Sequence, residues 1–312
     1  MGKIALVFPG QGSQYVGMGK EAQQNSKAAA GIFAQADDAL GFSLSQLCFE
    51  GPEEQLKLTV NTQPAILTAS IAVLEWLKET VEITPSFVAG HSLGEYSALV
   101  AAGAMSFKDA VLAVRSRGQF MEEAVPAGEG AMSAVLGMDR DKLRAICEDI
   151  TASGDPVQLA NLNCPGQIVI SGSAQGVARA GEEAKSQGAK RAIPLNVSGP
   201  FHSSLLQPAS VKLEQRLKEL KVEDASIPVV ANVSAQALTD ANDIFTSLVE
   251  QVSSPVLWED SIQYMVSLGV DTFIEVGPGT VLAGLIKKID RSAKVFSIQD
   301  AASLNKFKSE WV

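Results

Sequence analysis

Five consecutive residues, Gly90-His91-Ser92-Leu93-Gly94, have the types and spacing of a nucleophile turn. A glycine two residues either side of Ser92 permits the sharp strand-to-helix reversal that exposes a serine hydroxyl. The flanking sequence supplies that setting: a strand is expected over Ser86 to Ala89, and an alanine-rich helix from Glu95 to Ala102 stops near Gly103. The start of such a helix stabilises negative charge, so the Leu93 amide would form one side of an oxyanion hole. A serine hydroxyl needs a base to take its proton, and histidine titrates closest to neutrality. The chain has two, His91 and His202. Neighbouring side chains at a sharp turn diverge, which favours a packing role for His91. His202, in the loop Ser198-Gly199-Pro200-Phe201-His202-Ser203, is the better base, with a hydrogen-bonded buried histidine as the alternative reading.

These residues need elements to hold them. Ile4 to Phe8 reads as a buried strand stopped by Pro9, followed by a Gly10-Gln11-Gly12-Ser13-Gln14 turn with outward amides. A helix is expected from Gln63 to Lys78. Between about Ala127 and Ser198 the pattern becomes strand Ala131–Leu136, helix Asp139–Asp149, strands Val157–Asn163 and Gln167–Ser171, helix Ala174–Gln187 and strand Ala189–Leu195. That β-α-β-β-α-β order is the ferredoxin-like unit. After it, α/β alternation resumes, with strands at Val229–Val230 and Thr272–Val276 and helices around Leu205–Leu220 and Ser261–Leu268. The expected architecture is α/β, a large domain of residues 1–126 and 199–312 interrupted by a small ferredoxin-like domain of residues 127–198.

Composition narrows the function classes. A chain of 312 residues that is 46% hydrophobic buries a sizeable core, yet its longest apolar run, Ala98 to Met105, is far short of the roughly 18 residues of a membrane span. The hydrophobic stretch after Lys3 is too short for a signal peptide, and Leu6 occupies the Ser/Thr position of a myristoylation signal, so the cytoplasm is expected. Cys48, Cys147 and Cys164 are scattered, as reduced thiols are, and with two histidines they offer no metal-site spacing. A net charge of −10 opposes general nucleic-acid binding. Gly10-Gln11-Gly12 after a strand resembles the opening of a dinucleotide fingerprint, but Tyr15 stands where its third glycine belongs.

Read together, Phe8-Pro9-Gly10-Gln11-Gly12-Ser13-Gln14, Gly90-His91-Ser92-Leu93-Gly94-Glu95-Tyr96 and Gly199-Pro200-Phe201-His202 resemble the malonyl-CoA:acyl carrier protein transacylases. Gln63-Pro64-Ala65, Arg115-Ser116-Arg117-Gly118, Asn161 to Gly172 and Glu275-Val276-Gly277-Pro278-Gly279 follow in that family's order. The resemblance implies a hydrolase-like large domain carrying the ferredoxin-like small one. It makes Ser92 the acylated nucleophile, His202 its base, and the Gln11 and Leu93 amides the oxyanion hole. Arg117 becomes the clamp on the malonyl carboxylate, a role suited to a guanidinium fork, with a surface cation as the alternative. Gln251 orients the histidine through its backbone carbonyl, Met121 and Asn161 line the pocket, and Phe201 excludes a methyl branch on the acyl group. Malonyl-CoA is the implied substrate, acyl carrier protein the partner, and no bound cofactor or metal is called for. Carriers of this kind are acidic, so a local basic face is needed on an acidic chain. Lys190-Arg191 and Lys287-Lys288 are its candidates. The rival readings are a thioesterase or lipase, in which an acidic residue precedes a histidine near the C-terminus, and a non-catalytic carrier-docking protein.

Overall fold

The computed structural model describes residues 2–126, 128–197 and 199–311. Ala127 and Ser198, on which the expected domain boundaries fall, lie outside them. The strands, in chain order, are β1 (Lys3–Phe8), β2 (Phe87–Gly90), β3 (Gly130–Leu136), β4 (Val157–Cys164), β5 (Gln167–Ser173), β6 (Arg191–Pro194), β7 (Val229–Val230), β8 (Ala237–Leu238), β9 (Val270–Val276) and β10 (Lys294–Ile298). They form two sheets, β10-β9-β1-β2-β7-β8 and β4-β5-β3-β6.

In the larger sheet, β10, β9, β1, β2 and β7 are parallel, and β8 closes the edge antiparallel to β7. Helices cover both faces of a parallel sheet, so its central strands are apolar along their length rather than alternating. Ala5, Leu6, Val7 and Phe8 of β1 are accordingly all buried. The parallel strands point their C-terminal ends the same way. Such sheets bind ligands beyond those ends, and the Pro9 to Gln14 turn and the Ser92 turn both emerge there.

The helix expected from Gln63 begins earlier, at Thr59, and runs to Thr80 with Pro64 inside it. Proline lacks the N–H that would bond the carbonyl four residues back. The Val60 carbonyl left open by this is taken by Arg115 Nη1 at 2.9 Å, so the helix tolerates the proline.

The smaller sheet is antiparallel throughout, with β3 and β5 central. Its order is that of the ferredoxin-like unit. Two helices pack on one face, burying Leu143, Ile146, Cys147 and Ile150 from Arg140–Ala152, and Val177, Ala180, Gly181 and Ala184 from Ala174–Ser186. Both sets fall at i, i+3, i+4, i+7, the spacing of a single apolar stripe. Asp139 and Ser173 cap these helices by accepting backbone N–H groups, each worth about 1 kcal/mol. No helix among the described residues is long and apolar enough to cross a membrane.

Candidate active site

Ser92 lies between β2 and the helix Gly94–Ala101. The reversal is so tight that a Cβ on Gly90 would stand 1.9 Å from the Gly94 carbonyl carbon, and one on Gly94 would stand 2.2 Å from the Phe8 carbonyl oxygen. Both positions therefore require glycine. Ser92 itself has φ 53°, a left-handed conformation costing a residue with a side chain about 1–3 kcal/mol. Neighbouring polar groups hold it there. Its N–H donates to Asn232 Oδ1 at 2.7 Å, and its carbonyl accepts from Gln251 Nε2 at 3.0 Å. Asn232 is fixed in turn, donating from Nδ2 to the Gly90 carbonyl at 2.7 Å and from its backbone N–H to Glu95 Oε2 at 2.9 Å.

His202 also has positive φ, 58°. Its Nε2 stands 2.7 Å from Ser92 Oγ, while Nδ1 lies 2.9 Å from the Gln251 carbonyl and 3.1 Å from that of Ser254. Carbonyls only accept, so the ring proton sits on Nδ1 and the Nε2 lone pair faces the serine hydroxyl. Burial, and then the positive charge of Arg117, push the imidazole down to about 3, which keeps it neutral and basic in form at pH 7. Gln158 of β4 clamps the loop, donating to the His202 carbonyl at 3.3 Å and accepting the Ser204 N–H at 2.9 Å. His91 behaves otherwise. Its Nε2 meets Asn163 Oδ1 at 2.8 Å and its ring packs beside Trp258, so it ties the nucleophile turn to β4.

Arg117, on the helix Phe107–Ala124, is only 1% exposed. It is no surface cation. Its Nη2 donates to Ser92 Oγ at 3.2 Å and to Gln251 Oε1 at 3.0 Å, its Nη1 to Gln63 Oε1 at 2.9 Å, and its Nε has no acceptor among the described residues. Tyr96 places its ring centroid 6.0 Å from the guanidinium, within cation–π range. Met121, one turn along the same helix, is buried with Sδ 3.6 Å from Gln63 Nε2, and Phe201 is buried next to His202.

Gln11 donates from its side chain to Thr59 Oγ1 at 3.1 Å. It lines a cleft of about 210 Å³ with His91, Asn161, Asn163 and Gln167, where the buried Asn161 Oδ1 has no partner among the described residues. Gln11, Gly12 and Leu195 also line a second space, of about 650 Å³, that reaches Lys57, so the two spaces adjoin at these three residues. The four basic residues are exposed, and Lys190, Arg191 and Lys288 meet one end of the smaller sheet, where the Lys190 N–H donates to the Leu136 carbonyl at 2.8 Å. Arg191 pairs with Leu136, which pairs with Gln167, whose Oε1 accepts from Lys288 Nζ at 3.1 Å. Lys287 Nζ is engaged with the Ala293 carbonyl at 2.6 Å.

The structure thus gathers Ser92, His202, Arg117 and Gln251 into one hydrogen-bonded cluster and sets Gln11 and Asn161 on the adjoining cleft. Reading the sequence by residue chemistry singled out neither Asn232 nor Glu95, nor Gln158. Signals for the first two were present. Asn232 follows the strand Val229–Val230 at the sheet's carboxyl end, and Glu95 places a charge inside an otherwise apolar run. Glu95 is fully buried, and burial pushes its carboxyl up to about 7, although Gln251 Nε2 and the Asn232 N–H both donate to Oε2.

Residues 5–310 match a family described as acyl transferase domain. A malonyl CoA-acyl carrier protein transacylase of Bacillus subtilis (strain 168) is 59% identical over 304 residues, covering 97% of this chain and 96% of that protein. Among solved structures, an acyl carrier protein S-malonyltransferase from Vibrio cholerae superposes with a TM-score of 0.95 at 44% identity, covering 97% of this chain and 99% of that one. A malonyl-transacylase in complex with its type II PKS acyl-carrier protein gives a TM-score of 0.95 at 42% identity, with 99% of each chain covered.

Proposed function

The chain belongs to the acyl transferase family, and from that membership we propose its reaction in full: transfer of a malonyl group from coenzyme A to the phosphopantetheine thiol of acyl carrier protein, through an ester on Ser92. The activity serves fatty acid biosynthesis or the supply of a polyketide pathway, and the cytoplasm is its compartment. The observation that carries the residue roles is the 2.7 Å contact of Ser92 Oγ with His202 Nε2, with the buried Arg117 guanidinium 3.2 Å from the same oxygen.

In the first half-reaction Ser92 Oγ attacks the thioester carbonyl carbon as its proton passes to His202 Nε2. The carbonyl oxygen, now negative, is received by the Gln11 and Leu93 amides. Collapse breaks the carbon–sulfur bond, and His202 returns the proton to the departing coenzyme A thiolate. The second half reverses these roles: His202 takes the carrier thiol's proton, sulfur attacks the ester carbon, and Ser92 recovers its proton. The Gln251 and Ser254 carbonyls hold the Nδ1 proton and so the productive tautomer, in place of an acidic residue. Arg117 pairs with the free malonyl carboxylate, with Met121, Asn161 and Phe201 bounding the acyl pocket. Every step uses side chains and amides of this chain, with no bound cofactor or metal.

This reading includes a small domain at residues 127–198, supported by a separate sheet and apolar core between Gly130 and Pro194. It also includes a carrier-docking face at Lys190, Arg191, Lys287 and Lys288, supported by their exposure and by the contact of Lys288 with Gln167, which lines the cleft. Malonyl transfer to a holo-carrier by wild type, Ser92→Ala and Arg117→Ala, followed with malonyl-CoA and acetyl-CoA, tests the roles. Ser92→Ala is expected to abolish transfer and Arg117→Ala to lower the malonyl rate far more than the acetyl rate. Equal loss for both substrates in Arg117→Ala would remove the clamp.

A further inference from the structure

A buried guanidinium ordinarily carries a carboxylate beside it, because an uncompensated charge away from water is costly. Arg117 does not: among the described residues no carboxylate is in ion-pair range, and its fixed acceptors other than Ser92 Oγ are two amide oxygens, Gln63 Oε1 and Gln251 Oε1. The nearby carboxylate, Glu95, is turned to other donors. Its Oε2 takes the Asn232 N–H and Gln251 Nε2, so the Gln251 amide stands between Glu95 and the guanidinium. Gln63 is held in the same sense. Its Nε2 faces Met121 Sδ, which leaves Oε1 aimed at Arg117 Nη1.

Resting on the clamp role of Arg117, we propose that Gln63 is a specificity-determining positioning residue: with Gln251 it fixes the guanidinium through neutral oxygens, leaving its charge for the carboxylate of the acyl group. An acid at position 63 would occupy the same space and bond the same Nη1, yet it would supply the negative charge that the substrate otherwise brings. Carboxylated acyl groups would then lose their advantage over uncharged ones. Gln63 is buried in the helix Thr59–Thr80 and 54 residues from Arg117 in sequence, so spacing alone does not connect the two.

The test compares Ser92 acylation by malonyl-CoA and by acetyl-CoA in single turnovers for wild type, Gln63→Glu, Gln63→Met and Arg117→Ala. Thermal unfolding serves as the folding control. Gln63→Glu is expected to lower the malonyl-to-acetyl ratio about 30-fold or more, as for removal of a desolvated charge pair. Gln63→Met keeps the guanidinium's charge unpaired and should hold the ratio within about tenfold of wild type, the range of one neutral hydrogen bond. A wild-type ratio in Gln63→Glu while Arg117→Ala loses its preference would overturn the role of Gln63 and leave the clamp standing. An unchanged ratio in Arg117→Ala would remove the clamp itself, and the proposal with it. Equal loss of both substrates in Gln63→Glu, or a ratio in Gln63→Met as low as that of Arg117→Ala, would also overturn it.

Discussion

Two buried groups of the site titrate in opposing directions, and replacing Glu95 by Gln should unmask the other. Burial pushes His202 down to about 3 and Glu95 up to about 7. Between about pH 4.5 and 6.5 the unfolded chain protonates His202 and ionises Glu95, whereas the folded chain does the reverse. His202 alone makes stability fall as pH falls through this window, because the unfolded state binds the extra proton. Glu95 alone makes stability fall as pH rises, because the folded state binds it. Each effect amounts to about tenfold in the folding equilibrium per pH unit, so in wild type the two cancel. In Glu95→Gln the amide oxygen still accepts both donors that now converge on Oε2, but the titration is gone. Relative to wild type, the variant should lose stability about tenfold per unit on acidification. Over the two units, with unfolded Glu95 half protonated at pH 4.5, this is about 40-fold, or roughly 2 kcal/mol. Urea unfolding of both proteins at pH 4.5, 5.5 and 6.5 measures it, the remaining titratable groups cancelling in the difference. Parallel pH dependences in the two proteins would refute the reasoning.

Other outcomes follow from the same geometry. His202→Ala should slow Ser92 acylation by several orders of magnitude while His91→Ala retains measurable turnover. Equal damage in two folded variants, seen in single-turnover rates, would reassign the base. Phe201→Ser should admit methylmalonyl-CoA by opening space beside His202, and a substrate competition assay that finds no such transfer would contradict the pocket assignment. Reversing Lys190, Arg191, Lys287 and Lys288 to Glu should raise KM for the carrier, more so at low salt because screening weakens exposed charges. The malonyl-CoA half-reaction should be little changed; unchanged carrier kinetics at low salt would exclude this docking face.

The parts of the fold written in local chemistry were legible from the chain. The ferredoxin-like order followed from the succession of four strands and two helices, each helix proving to carry one apolar stripe, and the Ser92 turn from glycines that the backbone geometry demands. Legibility failed where distant segments decide the outcome. Pro64 argued for a helix start at Gln63, yet Arg115, 55 residues away from Val60, takes the carbonyl that the proline leaves open. Without the family resemblance Arg117 read as a surface cation, since only the tertiary fold buries it between the helix Thr59–Thr80 and the Gln251 segment. Asn232 and Glu95 hold Ser92 at positive φ across some 140 residues of chain, a constraint that no local pattern records.

Mass measurement of the intact protein, first after malonyl-CoA and then after holo-acyl carrier protein, bears most directly on the central claim that Ser92 holds the malonyl group between its two thiols. One malonyl adduct, mapped to the peptide containing Ser92 and absent in Ser92→Ala, should persist without the carrier. It should disappear as malonyl-carrier accumulates in equal amount. Release of the adduct as free malonate at the same rate with or without the carrier, or an adduct mapped to another residue, would contradict the account.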